Sequence, residues 1–408
     1  MEEHLVPDYD KASSYSDKQD RFIFSLSNKM SLEWYGKNFS PFPLLITESI
    51  KAQIKKTHDI LIKAIKGIVE DYLLDETIQS ILPLTNQQKK LIALAGNKPY
   101  QIFSIRPDFL ISEKSDMKIC EINARFTLNG FISSHHFNQQ IMEDYNNTLN
   151  FEDELSAVID NYLSGFDLTK PLFLLRDKEQ GYDLNTLKYY LLNKNIPVID
   201  IKPSDLTLIE NHLLGKGTTC EQIIMELHQS ELEEIEQDII EHILLNVNYV
   251  NDIRTIMIAH DKRLFVCLSS KIIMSRYLSD KELFYLHQHI IPTYLIDDIK
   301  DEIIENKNQW VLKKCLSGKG EGMFIGLDSE AYDMEHIILK MSGSYIAQPY
   351  LKQKKIAVFF NGKYQTCRSV GMILSLNESY QGTGYFRTSP ERIIALSKGG
   401  CAVAACFK

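Results

Sequence analysis

The chain has 408 residues, of which 44% are hydrophobic and 24% are charged, a composition typical of a globular protein with two or three domains. Its net charge of −9 disfavours nucleic acid as a general partner, because phosphate binding needs a basic face. No apolar run is long enough to span a membrane, and the acidic N-terminus is not expected to be a signal peptide. Seven cysteines without metal-binding spacing predict free thiols and a cytoplasmic location.

The first part of the chain is predicted to be mainly helical. Apolar residues keep near-helical spacing from Thr47 to Tyr72, which predicts a long amphipathic helix. Shorter helices are predicted at residues 86–95 and 152–163. Residues 1–30 are polar and are expected to form a loose arm with a short helix.

Residues 106–130 have the pattern of a hairpin, in which two apolar strands flank a polar turn at residues 113–116. Glu121 and Asn123 lie two residues apart on the second strand, so both side chains are predicted to point to the same face. A carboxylate and an amide oxygen at one spot suit Mg²⁺, which usually keeps water and phosphate as its other ligands. A surface hairpin that happens to carry a charge explains the same Glu-x-Asn pattern.

The middle of the chain predicts a separate α/β domain at about residues 168–250. The expected elements are strand 172–175, helix 183–192, strand 196–201, strand 222–227 and helix 230–245. A strand, a helix and a strand of these lengths form a β-α-β unit, so we expect a parallel sheet. Residues 176–179 (Arg-Asp-Lys-Glu) follow the first strand at its carboxyl end, where open α/β sheets bind ligands. A solvated loop is an equally good interpretation.

A glycine-rich loop follows a strand that carries lysines. Residues 309–314 predict an edge-like strand, and Gly318, Gly320 and Gly322 occupy alternate positions in the segment after it. Glycines so spaced let backbone N–H groups approach phosphate oxygens closely, although the loop fits neither the P-loop nor the Rossmann pattern. Lys313, on the preceding strand, is placed to neutralise a phosphate.

The last segments predict a linker, a hairpin and a tail. The linker at residues 344–351 can offer backbone groups to an adenine edge, and Asn361-Gly362 is a strong turn signal for a hairpin. The tail at residues 399–405 is rich in glycine and alanine. It is interpreted either as a lid that closes over the ligand or as a buried final strand.

Taken in order, these segments resemble the ATP-grasp fold, and more narrowly its circularly permuted version in eukaryotic-type glutathione synthetases. In ordinary ATP-grasp enzymes the nucleotide lysine and glycine loop precede the Glu-x-Asn segment, whereas here Arg106 and Glu121 precede Lys313. The resemblance implies an α/β (α+β) fold with an inserted α/β substrate-binding domain. Its three parts would be residues 1–167 with the Glu-x-Asn hairpin, residues 168–250 as the insertion, and residues 251–408 with the nucleotide-binding part and a closing loop.

The resemblance also implies a role for each candidate residue. The nucleotide-binding set is Lys262, Lys313, Ser317, Gly318, Lys319, Gly320, Gln348 and Tyr350. The metal ligands are Glu121 and Asn123, and the catalytic residues that hold the reacting carboxylate are Arg106 and Arg387.

The chain departs from the family pattern at two places. Ser317 stands where the family has a metal-binding glutamate, a role that Glu321 could take over. Phe126 and Leu128 stand where the family has serines that touch its peptide substrate, so glutathione is not expected as the product.

The function that the resemblance implies is ATP-dependent carboxylate–amine ligation. The γ-phosphoryl group of ATP would pass to a carboxylate, and an amine would attack the acyl phosphate to give a peptide-like amide, ADP and phosphate. ATP and Mg²⁺ are the implied cofactors, and the partners are small-molecule acids and amines. A thiol or polyamine acceptor, a nucleotide-binding protein without ligase activity, and a homodimer all stay open.

Overall fold

The computed structural model describes residues 12–30, 38–146, 149–152, 154–318 and 320–407. The α-helices are α1 (Ala12–Ser27), α2 (Glu48–Asp71), α3 (Glu76–Ile81), α4 (Asn86–Ala95), α5 (Phe131–Asp144), α6 (Leu155–Leu163), α7 (Tyr182–Asn193), α8 (Gln229–Leu232), α9 (Gln237–Asn246), α10 (Leu264–Ser269), α11 (Lys271–Met274), α12 (Asp280–His289), α13 (Ile296–Glu305) and α14 (Ala331–Lys340). The strands are β1 (Leu44–Ile46), β2 (Ser104–Ile111), β3 (Met117–Asn123), β4 (Leu172–Leu175), β5 (Val198–Ile201), β6 (Leu206–Ile209), β7 (His212–Gly215), β8 (Thr218–Thr219), β9 (Gln222–Met225), β10 (Asn248–Val250), β11 (Tyr294–Leu295), β12 (Trp310–Lys314), β13 (Met323–Ile325), β14 (Tyr345–Pro349), β15 (Ile356–Phe360), β16 (Lys363–Leu376), β17 (Ser379–Thr383), β18 (Phe386–Ser389), β19 (Cys401–Val403) and β20 (Ala405–Phe407).

The predicted hairpin of residues 106–130 is confirmed as β2 and β3, which belong to a mainly antiparallel sheet of order β19-β18-β16-β2-β3. Arg106 lies opposite Asn123 and Asp108 lies opposite Glu121, with a shift of register between Asp108 and Phe109. β15 and β17 also pair with β16. The register places the candidate metal ligands and a candidate arginine on adjacent strands.

The second predicted hairpin, at the Asn361-Gly362 turn, is also confirmed. Both turn residues have positive φ angles, 53° and 70°, as a two-residue type I′ turn requires. The strand after the turn runs on to Leu376 and becomes the centre of the sheet, because β2, β15, β17 and β18 all pair with it.

The parallel sheet predicted in the middle of the chain is present, with strand order β10-β9-β4-β5. One prediction there is wrong, since the helix expected at residues 230–245 is broken into α8 and α9. The Glu231 carboxylate accepts the backbone N–H of His228 in a capping box, which commits this residue to a separate short helix. The small antiparallel sheet β6-β7-β8 was not predicted.

A third sheet of order β11-β14-β12-β13 carries the glycine-rich loop between β12 and β13. β12 pairs with neighbours on both sides, so the expectation of an edge-like strand is wrong. Buried Trp310 and Leu312 of this sheet pack with Met334 and Ile337 of α14. The loop is therefore held at both ends by strands over an apolar core.

The C-terminal tail is a pair of buried strands. β19 pairs with β18, and β20 runs parallel to β1, with Leu44 opposite Ala405. Cys401, Val403 and Phe407 are buried. The closing-loop interpretation is therefore wrong for residues 401–405, because small apolar residues suit close strand packing as well as close approach to a ligand.

The helices agree with most of the sequence predictions. The long helix is capped by Thr47, whose hydroxyl accepts the N–H of Ile50, and its buried face includes Ile54, Leu61 and Ile68. The helix expected at residues 152–163 begins only at Leu155. Of the expected arm at residues 1–30, residues 1–11 lie outside the described residues, and the rest forms α1, which is 16 residues long.

Two findings bear on environment. All seven cysteines lie in the described part of the chain, and each is a buried free thiol. Among the described helices, none is long and apolar enough to cross a membrane. The expected division into parts at residues 167 and 250 stays a prediction, although one buried cluster joins Ile65 and Phe109 with Ile223 of the parallel sheet.

Candidate functional site

One cavity of about 730 Å³ gathers residues from the hairpin, the glycine-rich loop and the parallel sheet. The predicted site residues on its wall are Arg106, Glu121, Asn123, Lys313, Ser317, Gly318, Gly320, Gln348, Tyr350 and Arg387. Lys262 contacts Glu121 from beside this wall. Lys319 lies outside the described residues. The structure thus brings together residues that are up to 281 positions apart in sequence.

The arginine end of the site is organised by Asp108, a buried residue that was not among the predicted site residues. Its carboxylate accepts hydrogen bonds from Arg106 Nε at 3.0 Å and from Arg387 Nη2. The Nε of Arg387 is buried without a hydrogen-bond partner among the described residues. Asp108 therefore holds two guanidinium groups side by side, and one of them keeps an unused donor.

Glu121 lies between two lysines. Lys262 Nζ is 3.1 Å from Glu121 Oε1, and Lys313 Nζ donates to the Cys120 carbonyl at 3.1 Å on the same strand. Burial alone would raise the pKa of Glu121, but the charges of Lys262 and Lys313 outweigh it and lower the pKa to about 2. The carboxylate is therefore ionised at neutral pH and pairs with Lys262, whereas the Lys313 ammonium group is held by the Cys120 carbonyl.

Asn123 is oriented by Asp108, because its Nδ2 donates to Asp108 Oδ2 at 3.0 Å. A carboxylate that already receives arginine donors only accepts, so the amide must turn its nitrogen toward it and its oxygen away. Among the described residues, no cluster of three or more His, Cys, Asp and Glu side chains is suited to hold a metal alone. Glu121 and Asn123 instead fit an Mg²⁺ ion whose other ligands are phosphate and water.

The glycine-rich loop lies beside this pair. Lys262 donates to the Ser317 carbonyl, and Ser317 Oγ donates to the Glu321 carbonyl at 3.1 Å. Gly320 has a positive φ of 71°, and a Cβ there would lie 2.7 Å from Ile393 of the loop before β19. Glu321 lines the cavity, so it stays a candidate for the role of the glutamate that is absent at Ser317.

The far end of the cavity is flanked by the predicted linker. Gln348 is buried and donates from Nε2 to Thr293 Oγ1 at 2.9 Å, while Ile291 and Val311 add apolar lining. The N–H of Tyr350 bonds to the Gln309 carbonyl at 2.6 Å. This N–H is therefore not available to a nucleobase, which corrects part of the expected adenine contact.

The opposite end contains Arg125, a residue that sequence reasoning did not single out. Arg125 lines the cavity, lies over the Phe126 ring at 4.1 Å, and forms an ion pair with Glu179. Arg125 follows Asn123 by two residues, so the same alternation that pointed to Glu121 and Asn123 could have indicated it. Glu179 belongs to the loop after β4 that was expected to bind ligand, and the structure places that part of the loop on the cavity wall.

Two other titratable groups at the site, His260 and Cys120, are in their neutral forms. Burial, with the charges of Lys262 and Arg125, lowers the pKa of His260 to about 3. Its Nδ1 accepts the N–H of Ala124 at 3.3 Å. Burial raises the pKa of the Cys120 thiol to about 12. Neither residue is therefore prepared as a nucleophile or general base at neutral pH.

A lysine strand with its glycine loop and a hairpin with Glu-x-Asn face one another across a cavity, which is the arrangement expected of the ATP-grasp fold. The comparisons with known proteins agree. A family described as the AnkG N-terminal domain matches residues 57–258. A relative named ATP-grasp enzyme ankG, from Aspergillus thermomutatus, is 21% identical over 96% of this chain and 93% of its own length.

The comparison with solved structures identifies the fold more closely. A glutathione synthetase-like effector from Globodera pallida, in its apo form, has a TM-score of 0.62 at 13% identity, covering 99% of this chain and 98% of its own. D-alanyl-alanine synthetase A from Vibrio cholerae O1 biovar eltor has a TM-score of 0.29 at 14% identity, over 51% of this chain and 68% of its own, which is too low to carry an argument. The chain has the mixed α/β ATP-grasp fold in a form that resembles glutathione synthetase; its circular permutation stays an interpretation.

Proposed function

We propose that the protein is an ATP-dependent ligase that activates a carboxylate as an acyl phosphate and joins it to an amine. The observation that carries the proposal is the position of Glu121, ionised and paired with Lys262 beside the glycine-rich loop. The name of the relative from Aspergillus thermomutatus supports ATP-grasp enzymology, and the fold supports the same class of chemistry.

The two lysines and the loop account for the nucleotide half of the reaction. Lys313 and Lys262 supply positive charge where the triphosphate would lie, and the loop glycines leave the backbone N–H groups accessible. Mg²⁺ held by Glu121 and Asn123 would neutralise the phosphate charge that develops during transfer. Little covalent chemistry is needed from the protein, since alignment and charge neutralisation carry most of phosphoryl transfer.

The arginine pair accounts for the acid half. Arg106 and Arg387 are held side by side by Asp108, which fixes their planes before any substrate binds. A guanidinium can bind both oxygens of a carboxylate, and the same donors stabilise the acyl phosphate oxygens. In this proposal the reacting carboxylate therefore lies between the arginines and the glycine-rich loop.

The acceptor is proposed to differ from that of glutathione synthetases. Phe126 and Leu128 line the cavity where the resemblance would place serines. An apolar surface there disfavours the polar peptide substrate of the family, because its polar groups would lose water without gaining partners. The product we propose is a peptide-like amide other than glutathione.

The proposal is tested by a screen of acid and amine pairs for release of ADP and phosphate with ATP and Mg²⁺. Pairs of amino acids come first, and thiol and polyamine acceptors form separate arms that examine the two alternative acceptors. Release that needs both substrates supports the ligase. Release with AMP and pyrophosphate as products would contradict it.

A second function has one observation in its favour. Ser317 replaces a metal-binding glutamate, so the chain could bind nucleotide without ligating. Tight binding of ATP with no release in any arm of the screen would favour this function. A Ser317→Glu variant that gained turnover would show that the missing ligand is the reason.

A further inference from the structure

A buried guanidinium, that of Arg125, lies at the end of the cavity opposite the linker. Arg125 is 5% exposed, its Nη2 pairs with Glu179, and its Nη1 is 3.8 Å from Glu231 Oε2. The guanidinium lies over the Phe126 ring at 4.1 Å, which fixes its plane. Two carboxylates thus share one arginine inside a ligand-sized cavity.

The two carboxylates are bound very differently. Glu231 is 1% exposed, and its oxygens accept the N–H groups of Lys178 at 2.8 Å and His228 at 2.6 Å. These backbone bonds make it a permanent part of the fold. Glu179 is 38% exposed and lines the cavity, so its carboxylate can leave the arginine for water.

The backbone around Glu179 is anchored on both sides. The Lys178 N–H is held by Glu231, and the Gly181 N–H is held by buried Glu226 at 3.2 Å. Release of Glu179 from Arg125 therefore does not need a movement of the loop backbone. The exchange is a local event at the cavity wall.

We propose that Arg125 is a specificity-determining residue that binds a carboxylate of a substrate, and that Glu179 occupies this position until the substrate arrives. The carboxylate is a spectator, because the reacting one is assigned to Arg106 and Arg387 by the proposed function, on which this inference rests. The substrate that carries it is either a dicarboxylic acid or an amino acid whose amine reacts.

The charge of Arg125 explains why the group that replaces the Glu179 carboxylate is expected to be an anion. Glu231 stays 3.8 Å from the guanidinium, but the buried charge of Arg125 would lose its close partner, so another anion is the favoured replacement for Glu179. A carboxylate of the substrate can accept the Arg125 Nη2 hydrogen bond that Glu179 now accepts. Phe126 lies on the same wall and is partly exposed, so an apolar or aromatic group beside the carboxylate would bury surface against its ring.

The test measures binding directly, with phenylacetate and phenylacetamide as probes, by calorimetry and ligand-observed NMR. We expect Arg125→Gln to weaken phenylacetate binding by about tenfold or more and to leave phenylacetamide unchanged, since a charged hydrogen bond is lost. Arg125→Lys, which keeps the charge without the fork, should fall between. Glu179→Gln should strengthen phenylacetate binding, because the competing carboxylate is gone. The control is Glu234→Gln, which removes the exposed partner of Lys178 and should change nothing.

The proposal is overturned if Glu179→Gln weakens or does not change phenylacetate binding, or if Arg125→Gln affects acid and amide equally. Because these measurements need no turnover, they stand or fall separately from the ligase activity. Once a reacting acid and amine are known, the KM of each substrate in Arg125→Gln shows which of the two carries the spectator carboxylate. A raised KM for the acid alone indicates a dicarboxylic acid, a raised KM for the amine alone indicates an amino acid, and no change in either KM contradicts the assignment.

Discussion

At the residue scale, Glu121 is the group whose charge the other residues of the site are arranged around. It is one-fifth exposed and holds Lys262 at 3.1 Å, so it is both a candidate metal ligand and a counter-ion. A substitution there therefore acts on charge rather than on shape. Both roles depend on the negative charge of Glu121, so a variant that removes only this charge tests them.

We predict that Glu121→Gln lowers turnover by orders of magnitude, because metal clamps supply several kcal/mol of transition-state stabilisation. The variant keeps the shape of the side chain and loses its charge. Steady-state phosphate release at saturating Mg²⁺ measures the effect. Glu113→Gln, at an exposed position in the turn of the same hairpin, is the matched control. Near-normal turnover of Glu121→Gln would rule the assignment out.

The two adjacent lysines of β12 provide a second prediction at this scale. Lys313 is buried with its Nζ on the Cys120 carbonyl, whereas Lys314 is exposed, although both residues line the cavity. Lys313→Ala should weaken ATP binding about tenfold or more, and Lys314→Ala should change it by less than about threefold. Calorimetric titration with ATP measures the affinity of each variant. Equal losses of affinity would mean that the buried position of Lys313 does not make it the lysine that binds phosphate.

At the scale of elements, the glycine-rich loop depends on backbone angles that only glycine adopts easily. Gly322 has a φ of 63°, and a Cβ there would lie 2.8 Å from the Lys314 Cβ. For a Cβ added at Gly318, no atom of the described residues lies within 4 Å. The two glycines thus differ in local strain although they belong to one loop.

We predict that Gly322→Ala lowers the free energy of unfolding by about 1–2 kcal/mol, the cost of a left-handed conformation for a residue with a Cβ. Gly318→Ala should leave this free energy unchanged within about 0.5 kcal/mol. Urea denaturation followed by circular dichroism compares them. If both variants lose the same stability, the conformation of the loop is not set by Gly322.

The C-terminal strands give a prediction that separates a lid from a core. Truncation before Gly399 removes β19 and β20 with their strand pairing and their buried side chains, of which Val403 and Phe407 each contribute about 1.5–3 kcal/mol to stability. Together with the lost pairing, this loss approaches the whole stability of a typical domain, so we expect loss of cooperative thermal unfolding. Removal of Lys408 alone is the control. A truncated chain that still folds and binds ATP would restore the lid interpretation.

At the scale of the whole molecule, the sequence could predict what depends on local pattern. Alternation gave the hairpin that presents Glu121, helical spacing gave the long helix after Thr47, and Asn361-Gly362 gave a turn. These features are set by residues close in sequence. The resemblance then supplied the chemistry that periodicity alone does not contain.

Contacts between distant segments could not be predicted. The pairing of Arg125 with Glu179 joins residues 54 positions apart, in loops that follow strands of two different sheets, and no local pattern encodes it. The tail at residues 399–405 was compatible with both a lid and a strand, and the pairing of β19 with β18 and of β20 with β1 decides between them. The small sheet β6-β7-β8 was missed among polar turn residues.

The central claim, carboxylate activation through an acyl phosphate, is tested most directly by isotope transfer. The acid found in the screen is labelled with ¹⁸O in its carboxylate and turned over with ATP, Mg²⁺ and the amine. Mass spectrometry of the released phosphate then follows the oxygen. The account predicts one labelled oxygen in phosphate for each amide formed. Unlabelled phosphate, or label in AMP, would contradict it.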